Sequence, residues 1–276
     1  SNGTGAEVTY SDMITAFSSN GFTMGADASQ AWINQSSYTY ASWNWKAGGT
    51  ASSNGDGSIT SSVSANPTAG FSIVSYTSPG TSSDGTVGHG LSQAPELVIV
   101  KNRDSAYNWD VWNTALSSGY DLILNTSAAQ TSGRWSTTIP TASLVTLKDT
   151  YEVNGTDKYI AYCFHSVEGY SKVGSYEGNA NADGTFVYTG FQVAYLLTKS
   201  IDGSYNWYQT DNKSTPINVR DNVLYPDLSV AHGSSWPWVD FLSNGFKLRT
   251  SSSGVNNNTF IYLAFAESPF KYSNAR

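Results

Sequence analysis

The residues best suited to chemistry in this chain are aromatic. Tyr107-Asn108-Trp109, with Trp112 just beyond, reappears as Tyr205-Asn206-Trp207-Tyr208, and Trp236 and Trp238 flank Pro237 in another loop. Flat aromatic faces bind the C–H-rich faces of sugar rings while nearby Asn, Asp and Ser hydrogen-bond the hydroxyls; the same rings are frequent in protein interfaces. Tyr107, Trp109, Trp112, Tyr205, Trp207, Tyr208, Trp236 and Trp238 are therefore the candidate ligand-binding residues. The competing reading is packing beneath a turn. Recurrence of Tyr-Asn-Trp favours packing for Trp109 and Trp207, whereas Trp112, Tyr208, Trp236 and Trp238 differ between the copies and suit a specific contact.

Enzymatic chemistry has thinner support. Asp104, Asp110, Glu152, Asp157 and Glu168 are loop or strand-end carboxylates, and the sequence gives no means of bringing two of them to the roughly 5 to 10 Å separation that glycoside hydrolysis needs. They read more simply as turn formers. His89, His165 and His232 are dispersed without metal-ligand spacing and read as surface or capping residues, and Cys163 has no second Cys to join it. Cys163 occupies the slot of Ala264, so a small buried side chain is the better reading. There is no Gly-x-Ser-x-Gly elbow, phosphate loop or EF-hand ladder, and one Asp-Gly at 202–203 does not make a calcium site. The expectation is a non-enzymatic protein with no catalytic residues, no metal and no cofactor.

The elements that carry these residues are repeated. Gly70-Phe71-Ser72 returns as Gly169-Tyr170-Ser171, Lys101 as Lys199, Asp121 as Asp221, and Ile160 and Phe164 as Ile261 and Phe265, always 98 to 101 residues later. Repeats at a fixed period signal one structural unit used again. The reading is a first full module at 70–168 and a second at 169–276, packed closely with limited freedom to hinge. Ser19-Asn20-Gly21-Phe22 matches Ser243-Asn244-Gly245-Phe246, and Tyr38–Trp43 sits where Phe260–Phe265 does. Residues 1–46 accordingly read as the C-terminal half of a truncated module, and 47–69 as a Gly/Ser-rich linker or extended crossover. The chain is expected to be a fragment or processed product, with Phe270–Arg276 a true protein end.

Short alternating runs rich in Val, Ile, Tyr and Phe, bounded by Gly, Asn, Asp and Ser, predict strands almost throughout. Leu97–Val100 and Tyr195–Leu197 are nearly continuous apolar runs, expected of central strands covered on both faces. Asp84-Gly85 and Asp183-Gly184 fit tight hairpin turns. Ser11–Phe17 is a weak helical candidate whose repeat partners argue for extended chain. The fold class is all-β: tandem antiparallel β-sandwich modules, jelly-roll-like, preceded by a partial module.

Composition narrows the partners. Charged residues make up 13% of the 276 and the net charge is −7. A nucleic-acid binder needs a basic face to neutralise phosphates, so none is expected as a partner. The absence of an apolar run of about 18 residues, or of a charged-then-apolar leader, argues against membrane insertion and against a signal peptide. Ser, Thr, Asn and Gly with 18 Tyr and 9 Trp suit a β-sandwich working outside cells.

Thr86–Trp109, Tyr159–Tyr176, Ser243–Thr250 and Phe260–Arg276 together resemble a domain family of phage structural proteins. That family is seen mainly in marine tailed phages, often beside concanavalin A-like lectin modules in tail-fibre-like proteins. The resemblance covers essentially the whole chain and brings no catalytic residues with it. It implies a virion protein, extracellular and tail-fibre-like, that contributes to host or glycan attachment. Its partners would be other virion proteins and a host surface glycan or receptor, and fibres are usually trimeric, so a homo-oligomer is expected. Two other functions stay open: a glycan depolymerase carried on a fibre, and a purely architectural module that decorates the particle.

Overall fold

The computed structural model describes residues 2–28, 32–80 and 82–268. The expected chain end at Phe270–Arg276 lies outside the described residues. Strands dominate, and every pair of named strands runs antiparallel.

Residues 7–45 form one compact unit. It holds the hairpin β1 (Ile14–Ser18) and β2 (Gly21–Met24), so the weak helical candidate is extended chain. Phe17 pairs with Phe22 across a Ser-Asn turn, as Phe241 pairs with Phe246 across Ser243-Asn244. Tyr38–Trp43 belongs to no strand, unlike Phe260–Phe265, so only the hairpin end of the module pattern is formed here.

The second compact unit comprises the first six residues and everything from Lys46 on. Its first sheet is built from β3 (Ser52–Asn54), β4 (Ser61–Asn66), β5 (Phe71–Thr77), β7 (Leu97–Asn102), β8 (Trp109–Asn113), β9 (Tyr120–Ile123), β10 (Thr131–Ser132) and β12 (Lys158–Phe164), in the order β10-β9-β8-β7-β12-β5-β4-β3. Two further strands, β6 (Gly85–Gly88) and β11 (Leu144–Leu147), cover one face of it as a separate pair. In the second copy β13 (Ser171–Glu177), β15 (Val193–Ser200), β16 (Tyr208–Asp211) and β19 (Thr259–Ala266) take the order β16-β15-β19-β13. That is the order β8-β7-β12-β5 rebuilt strand for strand. Its cover is β14 (Phe186–Tyr188), β18 (Gly245–Leu248) and β17 (Val239–Leu242), and a four-residue helix α1 (Ser253–Asn256) precedes β19.

Strand alternation decides which side chains meet. Val74 and Tyr76, Val98 and Val100, and Tyr159, Ala161 and Cys163 project from the first sheet onto Val87, Val145 and Leu147 of its cover. Leu196, Phe260, Tyr262 and Ala264 meet Val187, Phe246 and Leu248 in the second copy. The opposite faces of the two sheets lie against each other. Phe164 and Phe265 meet edge-on at 6.4 Å, and Leu97 and Asn113 share one small void with Leu197, Ile261 and Leu263. Polar contacts cross the same seam: Trp207 Nε1 donates to the Ile123 carbonyl at 2.9 Å and Lys199 Nζ to that of Ser127 at 3.2 Å. Burial on two faces explains the unbroken apolar runs in β7 and β15.

Three expectations are corrected. Residues 47–69 are not a linker, since β4 pairs along the whole edge of β5 while Ile59 and Val63 enter the core. Serine-rich composition suits the margin of the sheet, where β3 is the edge and β4 has one solvated face, and sequence alone reads it as flexible chain. Asp84-Gly85 and Asp183-Gly184 are not hairpin turns, because at both places the chain crosses from the main sheet to its cover. Glycine is needed there for room: a Cβ at Gly85 would come within 2.7 Å of Ile59 Cδ1, and one at Gly184 within 2.6 Å of the Leu248 carbonyl oxygen. His89 and His165 are buried rather than superficial. His89 accepts from the Leu91 amide at Nδ1 and donates from Nε2 to the Thr141 carbonyl, a neutral ring whose pKa burial pushes down.

Candidate functional site

The predicted aromatic residues separate by depth. Trp112 is buried and stacked on Trp135 at 6.3 Å, Trp207 is buried in the seam between the copies, and Trp238 is 0% exposed. Tyr208 is also buried, its ring in contact with Tyr225, Trp236 and Trp238. These four rings have no free face for a sugar, which corrects their assignment as ligand contacts. The cause is a second layer of chain over each ring, and ring chemistry cannot reveal it. Trp236 is half-buried and stacked on Trp238, Tyr205 is half-buried against the second core, and Trp109 donates through Nε1 to the Gly3 carbonyl at 3.1 Å.

Tyr107 is different. Its ring lies nearly parallel to that of Tyr151, with centroids 6.2 Å apart and planes 7° from parallel. Tyr151 is 65% exposed, unusual for so large an aromatic group. It forms one wall of a pocket of about 320 Å³ lined also by Gly80, Ser82, Asp149, Thr150, Asn154, Gly155 and Thr156. That volume is near the lower end of small-molecule sites, which run from about 300 to 1,000 Å³.

The pocket rests on a stiff base. Tyr159, from the central strand β12, accepts from the Gly155 amide at 2.7 Å and donates to the Tyr151 carbonyl at 2.9 Å. Tyr76 donates to the Val153 carbonyl at 2.7 Å. Asn102, at the end of β7, ties both halves of the tyrosine pair together. Its Nδ2 donates to the Tyr151 carbonyl and to Asp157, while its Oδ1 accepts from the amides of Asp104 and Ser105 in the turn leading to Tyr107. Hydrogen bonds from the side chains of Asn102 and Ser105 hold Asp157 below the usual carboxylate range. Beneath the same turn, buried Lys101 Nζ donates to the Asn102 and Ser105 carbonyls, as Lys199 does to those of Ser200 and Gly203. Gly155 must be small, because a Cβ there would sit 2.9 Å from the Tyr151 ring. Sequence reasoning missed Tyr151, Asp149, Asn154 and Asn102. The polar run Asp149–Asp157 between two strands was visible, but nothing in it indicates proximity to Tyr107.

The fold does bring two carboxylates together, although not where a substrate can reach them. Asp110 on β8 and Asp121 on β9 are both fully buried and bridged by Arg134, at 3.0 and 2.7 Å. Burial pushes Asp110 up to about 7 and Asp121 up to about 6, against the pull of Arg134. Of the other carboxylates singled out above, Asp104 contacts Lys158 and Asp157 is held by Asn102. Among the described residues no group of three or more His, Cys, Asp or Glu is placed to hold a metal ion. No helix among them is long and apolar enough to cross a membrane.

An all-β protein of two repeated sheets packed back to back, with one exposed tyrosine stack beside a polar pocket, is the class that fold and site define. The chain belongs to the family described as Domain of unknown function (DUF7483), whose model matches residues 1–269. The match runs across both copies and the segment before them, so the family's unit is longer than one copy. No curated protein and no solved structure matches the chain.

Proposed function

We propose that this protein is a non-enzymatic virion component, tail-fibre-like and displayed on the particle surface, that holds a host-surface glycan at the pocket beside Tyr151. The observation that carries the binding reading is the Tyr107–Tyr151 stack, where an exposed aromatic face is held rigid by Asn102 and Tyr159 next to a pocket of hydroxyl, amide and carboxylate groups. Rigid aromatic area gives contact at low entropic cost, which is why such side chains recur in recognition surfaces. The virion context rests on the sequence resemblance. A homo-oligomer, a trimer as in fibres, is part of the same proposal, and it would repeat a weak site and raise avidity.

Glycan-array and whole-cell binding of the intact chain test the reading. Binding to at least one surface polysaccharide is expected, with Tyr151→Ala weakening it about tenfold, equivalent to about 1.4 kcal/mol. Equal binding by the variant would move the site elsewhere, and no binding to any cell surface would remove the adhesion function. A monomer by light scattering would count against the oligomer.

A further inference from the structure

Resting on the glycan-site reading, we propose that the pocket beside Tyr151 takes a sugar ring bearing no acid group, and prefers an amino sugar to a plain hexose. The argument is an accounting of donors and charges around the cavity. Among its described lining residues, Asp149 alone carries charge. A second carboxylate lies directly behind it, since Asp84 Oδ1 accepts from the Asp149 amide at 3.2 Å.

Several loop donors that could greet an anion are used inside the loop, the Thr150 amide among them on the Lys148 carbonyl. The Gly155 amide is bound to Tyr159, and the amides of Val153 and Asn154 are both bound to the Thr150 carbonyl. The Asn154 side chain is engaged as well, accepting from Ser78 at 2.6 Å and donating one of its two N–H groups to the Ser83 carbonyl. The rest of the described lining supplies a carboxylate, the hydroxyls of Ser82, Thr150 and Thr156, and an aromatic ring, with no Arg or Lys among them. Recognition of a carboxylate or sulfate needs Arg, Lys or a nest of free amides. A protonated amine instead pairs with Asp149 through a charge-assisted hydrogen bond, and its ring lies on Tyr151.

Titration of the intact chain at low salt, followed by calorimetry and by the ring signals of Tyr107 and Tyr151, tests this. The probes are the methyl glycosides of a hexose, its 2-amino-2-deoxy derivative and its uronic acid, in gluco and galacto forms. The expected order is amino sugar, hexose, uronic acid, with about tenfold between first and last. Tyr151→Ala should weaken the amino sugar and the hexose alike, while Asp149→Asn should remove the difference between the amino sugar and the hexose. Uronic acid binding as tightly as the amino sugar, in a manner still sensitive to Tyr151→Ala, overturns the ligand class and leaves the glycan site standing. No response from either tyrosine to any of the six sugars overturns both.

Discussion

Val74 faces Ala161 across β5 and β12, and at the matching register of the second copy Gly174 faces Tyr262. Two residues along, both copies place one aromatic pair: Tyr76 on Tyr159 at 5.1 Å, and Tyr176 on Phe260 at 4.9 Å. The stack is retained while volume has moved from one strand to its neighbour. A Cβ at position 174 would lie 2.8 Å from the Tyr262 ring, so glycine there is the consequence of tyrosine opposite. Core positions answer to summed volume more than to the identity of either residue. Gly174→Val should therefore cost about 1–3 kcal/mol through overpacking. Tyr262→Ala alone should cost about 3–5 kcal/mol, in the range of large aromatic truncations. Combined, they recreate the Val/Ala pair of the first copy, and the double variant should be more stable than the sum by about 1 kcal/mol or more. Urea unfolding of the four proteins measures this, and strictly additive losses would sink the pairing.

Strands β8, β9 and β10 form the margin of the first sheet, and the Asp110–Arg134–Asp121 bridge fastens β9 to β8 from within. One guanidinium cannot neutralise two buried carboxylates, and Asp110 Oδ2 and Asp121 Oδ1 each lack a hydrogen-bond partner. The groups that bear on the pair are Arg134, Glu152, Lys101 and Tyr76. With Asp110 raised to about 7 and Asp121 to about 6, the folded chain keeps a proton that the unfolded chain gives up near pH 4. This contribution is full at the acid end and is lost as pH rises to about 7, on the order of 3 kcal/mol. Asp121→Asn should flatten the fall of the urea midpoint between pH 4.5 and 7.5, and a variant profile parallel to the parent would disprove the shared proton. Strands were legible in the chain because alternation and Gly/Asn/Ser boundaries are local, and the repeat because Lys101, Tyr107 and Tyr76 all return at nearly one spacing. Depth was not legible: Trp112 and Trp238 carry the same ring as any exposed tryptophan, and only the covering strands bury them. The pocket was hidden because Tyr107 and Tyr151 lie on separate loops and meet only once the strands beneath them have paired. The segment 47–69 misled because serine-rich strands at a sheet's margin have the composition of a linker.

An apolar seam joins the two copies from Lys46 onward, and it ties their unfolding together. Trp207, Leu197, Ile261, Leu263 and Phe265 from the second copy are all buried, and so are Leu97, Val111 and Phe164 from the first. Removing either copy would expose that whole apolar face, at about 25 cal/mol for each Å² uncovered. Lys199 makes the dependence sharper. Its ammonium, 0% exposed, spends one of its three hydrogen bonds on the Ser127 carbonyl of the other copy, and burial pushes its pKa down to about 8. Without that carbonyl the charge would keep its burial cost with one fewer partner. The two copies should therefore unfold together rather than as separate modules. Leu147, in the first core, and Leu196, in the second, are both 0% exposed and belong to the two cores rather than to the seam. Each Leu→Ala substitution should cost about 2–5 kcal/mol and lower one and the same calorimetric transition. A scan in which Leu147→Ala moves one peak and Leu196→Ala another would mean that the seam contributes little and that each copy stands on its own core.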